Sequence, residues 1–163
     1  MRRTTPKLRA ATTAASAALL AGTLALAPAA TAVSPTIATA EYDCGAWGST
    51  TLTLTAAQNG TTATITLGSP DVIAPIDIPA DTMEATLRLE KNGGPDTTLF
   101  TSQTNPSFPA GSQITFGPLI GTVAPGDSLD SNVGGDSLNF VTFGISGQCV
   151  AMTKQSPGPF VFD

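Results

Sequence analysis

From residue 50 onward, apolar and hydroxyl residues alternate along the chain with a period of two. The runs TTLTLTA (residues 50–56) and TTATITL (residues 61–67) each place their aliphatic side chains on one face and threonines on the other. Because successive side chains of a strand point to opposite faces, this alternation predicts half-buried β-strands. The Asn59-Gly60 pair between the runs predicts a type I′ hairpin, which needs positive φ at both central positions.

The same alternation predicts further strands downstream. They cover residues 83–90, 97–104, 113–123, 138–145 and 148–153. Residues 138–145 (LNFVTFGI) are apolar on both faces, which is typical of a central strand between two sheets. The proline-rich stretch SPDVIAPIDIPA (residues 69–80) predicts an irregular crossing segment, since proline is excluded from central strands.

These elements predict an all-β protein with about seven or eight short antiparallel strands. Such a pattern, without a helical period, is typical of a β-sandwich with immunoglobulin-like connections. We expect the sandwich domain to span residues 41–155, after a flexible leader at residues 33–40. The C-terminal tail, residues 156–163, contains Phe160 and Phe162, which either add an edge strand or stay exposed to dock onto a partner.

The N-terminal segment has the three parts of a secretory signal. A basic start (Arg2, Arg3, Lys7, Arg9) precedes an apolar run over residues 14–26, and Ala30-Thr31-Ala32 follows. The apolar run is shorter than the 18 or more residues of a membrane-spanning helix. We therefore predict a signal peptide at residues 1–32, with Ala40 as a second cleavage site, and a secreted, extracellular protein.

Loss of this segment changes the charge. Three basic residues (Arg88, Lys91, Lys154) and all twelve acidic residues remain, so the net charge becomes −9. Phosphate backbones and anionic lipids would repel such a chain. We expect no nucleic-acid partner and no membrane association after cleavage.

The two cysteines, Cys44 and Cys149, predict one disulfide in an exported protein. A bridge closing a loop of this length stabilises a fold by up to about 4.7 kcal/mol in the chain-entropy model. A reactive thiol is the alternative, but such thiols usually have a basic neighbour, and none lies close in sequence.

The tetrapeptide GDSL occurs twice, at residues 126–129 and 135–138, and it marks the nucleophilic serine of a family of esterases. That serine needs a histidine base, and this chain contains no histidine. Gly-Asp-Ser is also ordinary turn chemistry. We expect that the protein is not an enzyme; the alternative is a secreted hydrolase that uses loop carboxylates.

The loop around these motifs offers oxygen ligands for calcium in Asp127, Asp130, Asn132 and Asp136. The spacing matches neither an EF-hand loop nor a nonapeptide repeat. A weak calcium site and a solvated acidic loop are therefore the two interpretations, and we expect no other cofactor.

Two aromatic residues flank the first cysteine. Tyr42 and Trp47 could form a platform for a sugar ring, or they could pack beside the disulfide. We keep both as candidate ligand-binding residues.

The stretches YDCGAWGSTTLTLTA (residues 42–56) and ITFGPLIGTVAPGDSL (residues 114–129) resemble small uncharacterised exported proteins of actinobacteria. This resemblance implies a secreted β-sandwich and carries no known activity. The chain is also similar in size and predicted fold to secreted chromoprotein apoproteins that bind enediynes. Those carry two disulfides, so we do not transfer their ligand pocket.

The sequence therefore predicts a secreted, non-catalytic module for extracellular binding, adhesion or envelope association. Its partner would be a cell-envelope polysaccharide or another secreted protein. A secreted protease inhibitor presenting the loop at residues 105–111 (NPSFPAG) is a further alternative.

Overall fold

A computed structural model of the protein describes residues 32–163. The predicted signal peptide lies outside the described residues except for Ala32. Among residues 32–163, no helix has the length and apolar character needed to cross a membrane.

The described residues form ten strands and one turn of 3₁₀-helix at Gly45–Trp47. The strands are β1 (Ile37–Asp43), β2 (Ser49–Asn59), β3 (Thr62–Ile73), β4 (Met83–Lys91), β5 (Thr97–Ser102), β6 (Gln113–Thr122), β7 (Ser128–Ser131), β8 (Asp136–Thr142), β9 (Ile145–Ala151) and β10 (Phe160–Val161).

Eight of these strands form a closed antiparallel barrel. Their order is β4-β5-β6-β3-β2-β1-β9-β8, and β8 pairs with β4 to complete the ring. The second half of β4 pairs with β7, which in turn pairs with β10. The predicted all-β antiparallel class is confirmed. The strands do not form the two separate sheets of the predicted sandwich, because β8 hydrogen-bonds to both of its neighbours and leaves no gap in the ring.

The predicted hairpin between β2 and β3 is present, with its turn displaced by one residue. Asn59 pairs with Thr62, so Gly60 and Thr61 form the two-residue loop. Gly60 has a φ of 61°, whereas Thr61 does not have a positive φ. This is the φ pattern of a type II′ turn, in which glycine takes the first central position.

Two segments differ from their predicted secondary structure. β3 continues to Ile73, and Pro70 is accommodated where the β3–β6 register shifts between Gly68 and Ile73. Residues 138–145 are not one strand: residues 138–142 belong to β8, and the turn of the β8–β9 hairpin follows them. Phe143 and Gly144 form this turn with φ values of 50° and 74°.

Both chain ends of the described region are ordered parts of the barrel. The predicted flexible leader is wrong, since residues 37–40 belong to β1 and Ser34 pairs with Val161. In the tail, Phe160 and Phe162 are fully buried and β10 adds an edge strand beside β7, so the structure has the first of the two alternatives left open by the sequence. Phe160 in β10 and Phe162 directly after it both enter the core, while the pairing of β10 with β7 holds the backbone in place.

The predicted disulfide between Cys44 and Cys149 is confirmed. It joins the β1–β2 connection to β9, because Cys44 directly follows β1. The bridge therefore fixes one end of the barrel, where the 3₁₀ turn begins.

The burial of the tail gives the first prediction. Phe162→Ala should lower the free energy of unfolding by about 3–5 kcal/mol, because it removes a buried ring and leaves a cavity. Val161→Ala, one residue away on the exposed face, should change it by less than about 0.5 kcal/mol. Urea unfolding followed by circular dichroism measures both values, and equal effects would contradict the docked tail.

Candidate functional site

The end of the barrel next to the disulfide opens into an apolar cavity of about 310 Å³. Its floor consists of buried side chains from β2, β4, β6 and β8: Leu52, Met83, Ile114, Phe116 and Leu138. The volume falls within the range of small-molecule sites, which are commonly found in the mouths of β-barrels. We call this the mouth cavity.

The rim of the mouth cavity is also apolar. Trp47, Ile73, Ile76, Phe143 and Ile145 all line it, and each is between 45% and 58% exposed. They are five of the twelve large apolar side chains that the described residues leave exposed. Single exposed apolar residues are ordinary, but a contiguous patch around a concave site marks a binding surface.

A row of three aromatic rings runs from the floor to the rim. The ring centroids of Phe116 and Phe140 are 5.1 Å apart, and those of Phe140 and Trp47 are 6.0 Å apart in an edge-to-face arrangement. The 3₁₀ turn holds Trp47, whose backbone N–H donates to the Cys44 carbonyl. Because Cys44 is bridged to Cys149, the turn that carries Trp47 is covalently linked to β9.

Gly147 makes room for the middle ring of this row. It lies opposite Phe140 in the β8–β9 pairing, and a Cβ at this position would lie within 2.6 Å of three atoms of the Phe140 ring. An aromatic ring packed over a cross-strand glycine is a known device of sheet packing. The absence of a side chain at residue 147 thus positions Phe140 in the cavity wall.

The remaining part of the rim comes from the β3–β4 loop, which the β5–β6 loop supports. Ile78 and Phe108 exchange two backbone hydrogen bonds between these loops. The side chain of Asn105 is buried and binds four backbone groups: it accepts from the N–H of Thr82 and Met83 and donates to the carbonyls of Pro79 and Pro106. The NPSFPAG segment is thus packed onto its neighbour, with Asn105 and Phe108 buried.

Few polar groups line the mouth cavity. The hydroxyl oxygen of Thr142 is buried and has no hydrogen-bond partner among the described residues. Asp71 is the one ionisable lining residue apart from the bridged cysteines, and it is exposed. A largely apolar wall with a few polar groups suits a ligand that is mainly apolar and has one polar end.

A second concavity, of about 270 Å³, lies on the outer face of β2, β3 and β6. Its lining is dominated by hydroxyl side chains, including Thr53, Thr55, Thr66 and Thr115. It offers little apolar surface to a ligand, so we regard the mouth cavity as the candidate site.

The two aromatic residues selected from the sequence have different positions. Trp47 lies at the rim. Tyr42 is fully buried in the core, where burial raises the pKa of its phenol, and it cannot join Trp47 in an exposed platform. The sequence did not single out Phe140, Phe143, Ile73 and Ile76. The Phe143-Gly144 pair was the one sequence feature that could have indicated a turn here, since a glycine is compatible with a two-residue hairpin turn.

The four candidate calcium ligands do not converge. Asp127 accepts from Lys91 at 2.8 Å and from the Ala124 N–H at 2.9 Å. Asp130 accepts from the backbone N–H groups of Ser131 and Gln155. Asp136 accepts from the Gln148 side chain, and the Asn132 side chain donates to the Asp136 carbonyl. Within residues 32–163, no group of three or more acidic, histidine or cysteine side chains could hold a metal ion.

The second GDSL serine has a structural role. Ser137 is fully buried, and its hydroxyl donates to the Asn132 carbonyl at 2.7 Å and accepts from the Ala151 N–H at 3.2 Å. These bonds tie the loop before β8 to β9.

The Asp127–Lys91 contact predicts a pH dependence of stability. Burial raises the pKa of Asp127, but hydrogen bonds from Lys91 and Ala124 outweigh it, and the net shift is downward. The unfolded chain therefore takes up the proton first as the pH falls. The stabilisation is complete above the ordinary aspartate pKa of about 3.9 and is lost as the pH falls through the lower folded-state value.

We expect Asp127→Asn to destabilise the protein at neutral pH and to make its unfolding free energy fall less steeply from roughly pH 5 to pH 2. Asp96→Asn removes an exposed carboxylate from the turn before β5 and should keep the wild-type steepness. Urea titrations across this pH range test the expectation, and parallel curves for wild type and Asp127→Asn would refute it.

The packing of Phe140 predicts the effect of a methyl group. Gly147→Ala should displace the Phe140 ring, lower the free energy of unfolding by about 1–3 kcal/mol, and alter the near-ultraviolet circular dichroism of Trp47. Gly94→Ala is the control: its Cβ would meet one backbone oxygen at 3.7 Å, and its φ is not positive. An unchanged Trp47 signal in Gly147→Ala would contradict the proposed contact.

Comparison with protein-family models, with curated protein sequences and with solved structures finds no match to this chain.

Proposed function

We propose that this protein is a non-catalytic binding protein that takes a small, mainly apolar molecule into the mouth cavity. The observation that carries the proposal is the continuity of apolar surface from rim to floor: five half-exposed rim side chains lead to buried residues below. A ligand entering here would remove both its own apolar surface and the rim from water, and each Å² so buried contributes about 25 cal/mol.

This proposal narrows the predicted binding function to a particular ligand chemistry. A polysaccharide presents many hydroxyl groups, and most of the groups that line the mouth cavity cannot hydrogen-bond to them. The lining favours a compact, mainly apolar molecule.

Two further observations support a binding role outside the cell. A disulfide such as Cys44–Cys149 persists in oxidising compartments, which is compatible with the secretion that the N-terminal segment predicts. The loop carboxylates proposed for hydrolysis bind their own backbone and side-chain neighbours, and Asp127 is engaged with Lys91. These contacts support binding over catalysis.

The test uses the neutral fluorescent probe N-phenyl-1-naphthylamine. We expect saturable binding with increased emission, weakened roughly tenfold by Trp47→Ala, because that change removes a large apolar rim contact. Ile76→Ala should weaken binding by a few-fold, since a smaller contact is lost.

Ile120→Ala is the matched control for Ile76→Ala. The two isoleucines are 56% and 58% exposed, but Ile120 lies outside the mouth cavity. Equal effects of the two substitutions, or no saturable binding to the wild type, would refute the proposed function.

A further inference from the structure

We infer that the preferred ligand of the mouth cavity is a cationic amphiphile: an apolar body bearing a protonated amine. The inference rests on the proposed function and adds the charge of the ligand. It follows from the distribution of charged residues between the two ends of the barrel.

Every basic side chain of the described residues lies away from the mouth. Arg88 donates to Thr97, Lys91 pairs with Asp127, and Lys154 pairs with Glu90. The mouth cavity includes Met83 at the start of β4, whereas Arg88 and Lys91 lie roughly 17 and 26 Å further along that strand at 3.3 Å per residue. These distances exceed the Debye length of about 8 Å at physiological ionic strength, so the charges of Arg88 and Lys91 are largely screened from a bound ligand.

The mouth end of the barrel is acidic instead. Asp71 lines the cavity and forms no ion pair with any residue of the described range 32–163. Asp43 lies next to the bridged Cys44, and Asp81 and Glu84 flank the start of β4. A carboxylate ligand would meet only like charges here, whereas an amine would meet an unpaired carboxylate.

The aromatic rim favours the same charge. Trp47 is 57% exposed and lines the cavity together with Asp71. A cation near the face of an indole ring is attracted by the ring quadrupole, and tryptophan is the strongest of the aromatic residues in this respect. The apolar floor would hold the body of the ligand while the amine remains at the rim between Trp47 and Asp71.

The experiment compares three probes with one naphthalene ring and different charges: 2-(aminomethyl)naphthalene, 2-(hydroxymethyl)naphthalene and 2-naphthoate. Isothermal titration calorimetry at physiological ionic strength, where the Debye length is about 8 Å, should rank the amine first and the carboxylate last, with about a fivefold or larger difference between them. Added salt should reduce this difference and leave the affinity of the alcohol unchanged.

Asp71→Asn should remove most of the advantage of the amine over the alcohol and leave binding of the alcohol as in the wild type. Asp96→Asn makes the same change of net charge in the β4–β5 turn, beyond the Lys91 end of β4, and should leave the amine affinity unchanged.

The outcomes separate the two proposals. If the alcohol binds but the carboxylate binds as tightly as the amine, or if Asp71→Asn weakens both neutral and cationic probes equally, the charge preference is wrong and the apolar site stands. If none of the three probes binds, the proposed function fails and the inference fails with it.

Discussion

The barrel depends on the pairing between β4 and β8. Five residue pairs, from Met83 with Thr142 to Leu87 with Leu138, join these two strands and close the ring. Without them the sheet would be open, with β8 and the first half of β4 as unpaired edges, and such edges promote association with other chains. The same contact shapes the site, because Met83, Leu138 and Thr142 all line the mouth cavity. Closure of the fold and formation of the cavity therefore have one structural cause.

The two ends of β4 have different surroundings, because one edge of this strand pairs with two different strands along its length. Its first half pairs with β8, and its second half pairs with β7, which carries β10 and the buried aromatic tail. Both ion pairs of the described residues, Lys91–Asp127 and Lys154–Glu90, lie at this second half. One end of β4 is thus covered by packed rings and paired charges, and the other leads to an apolar opening beside an unpaired carboxylate.

The alternation of residues was sufficient to locate strands but not to close them into a barrel. It predicted 83–90 where the structure has Met83–Lys91, because a half-buried strand shows its period directly. It failed at residues 138–145, where Phe143 occupies a turn position with positive φ that usually belongs to glycine or asparagine. A barrel differs from a sandwich here by the β4–β8 pairing. That pairing joins segments distant in sequence, so the alternation within each strand does not predict it. Trp47 could be selected from the sequence because it is a tryptophan close to a cysteine. Ile73 and Ile76 lay in a segment predicted to be irregular, so only the folded structure shows that they line the same cavity as Trp47.

Several features at the mouth cavity are locally unfavourable. Phe143 adopts a φ of 50°, which is costly for a bulky residue, and this turn presents its ring at the rim. Gly147 weakens β9 because glycine has no side chain to pack in a strand, and the Phe140 ring occupies the space that a side chain at residue 147 would fill. The Thr142 hydroxyl is buried without a hydrogen-bond partner among residues 32–163, and half-exposed apolar side chains face water around the opening. Departures from local rules are expected at functional sites, where a second requirement competes with stability. Here four kinds of departure surround one cavity, and a bound molecule with an apolar body would relieve one of them, because it would cover the exposed rim.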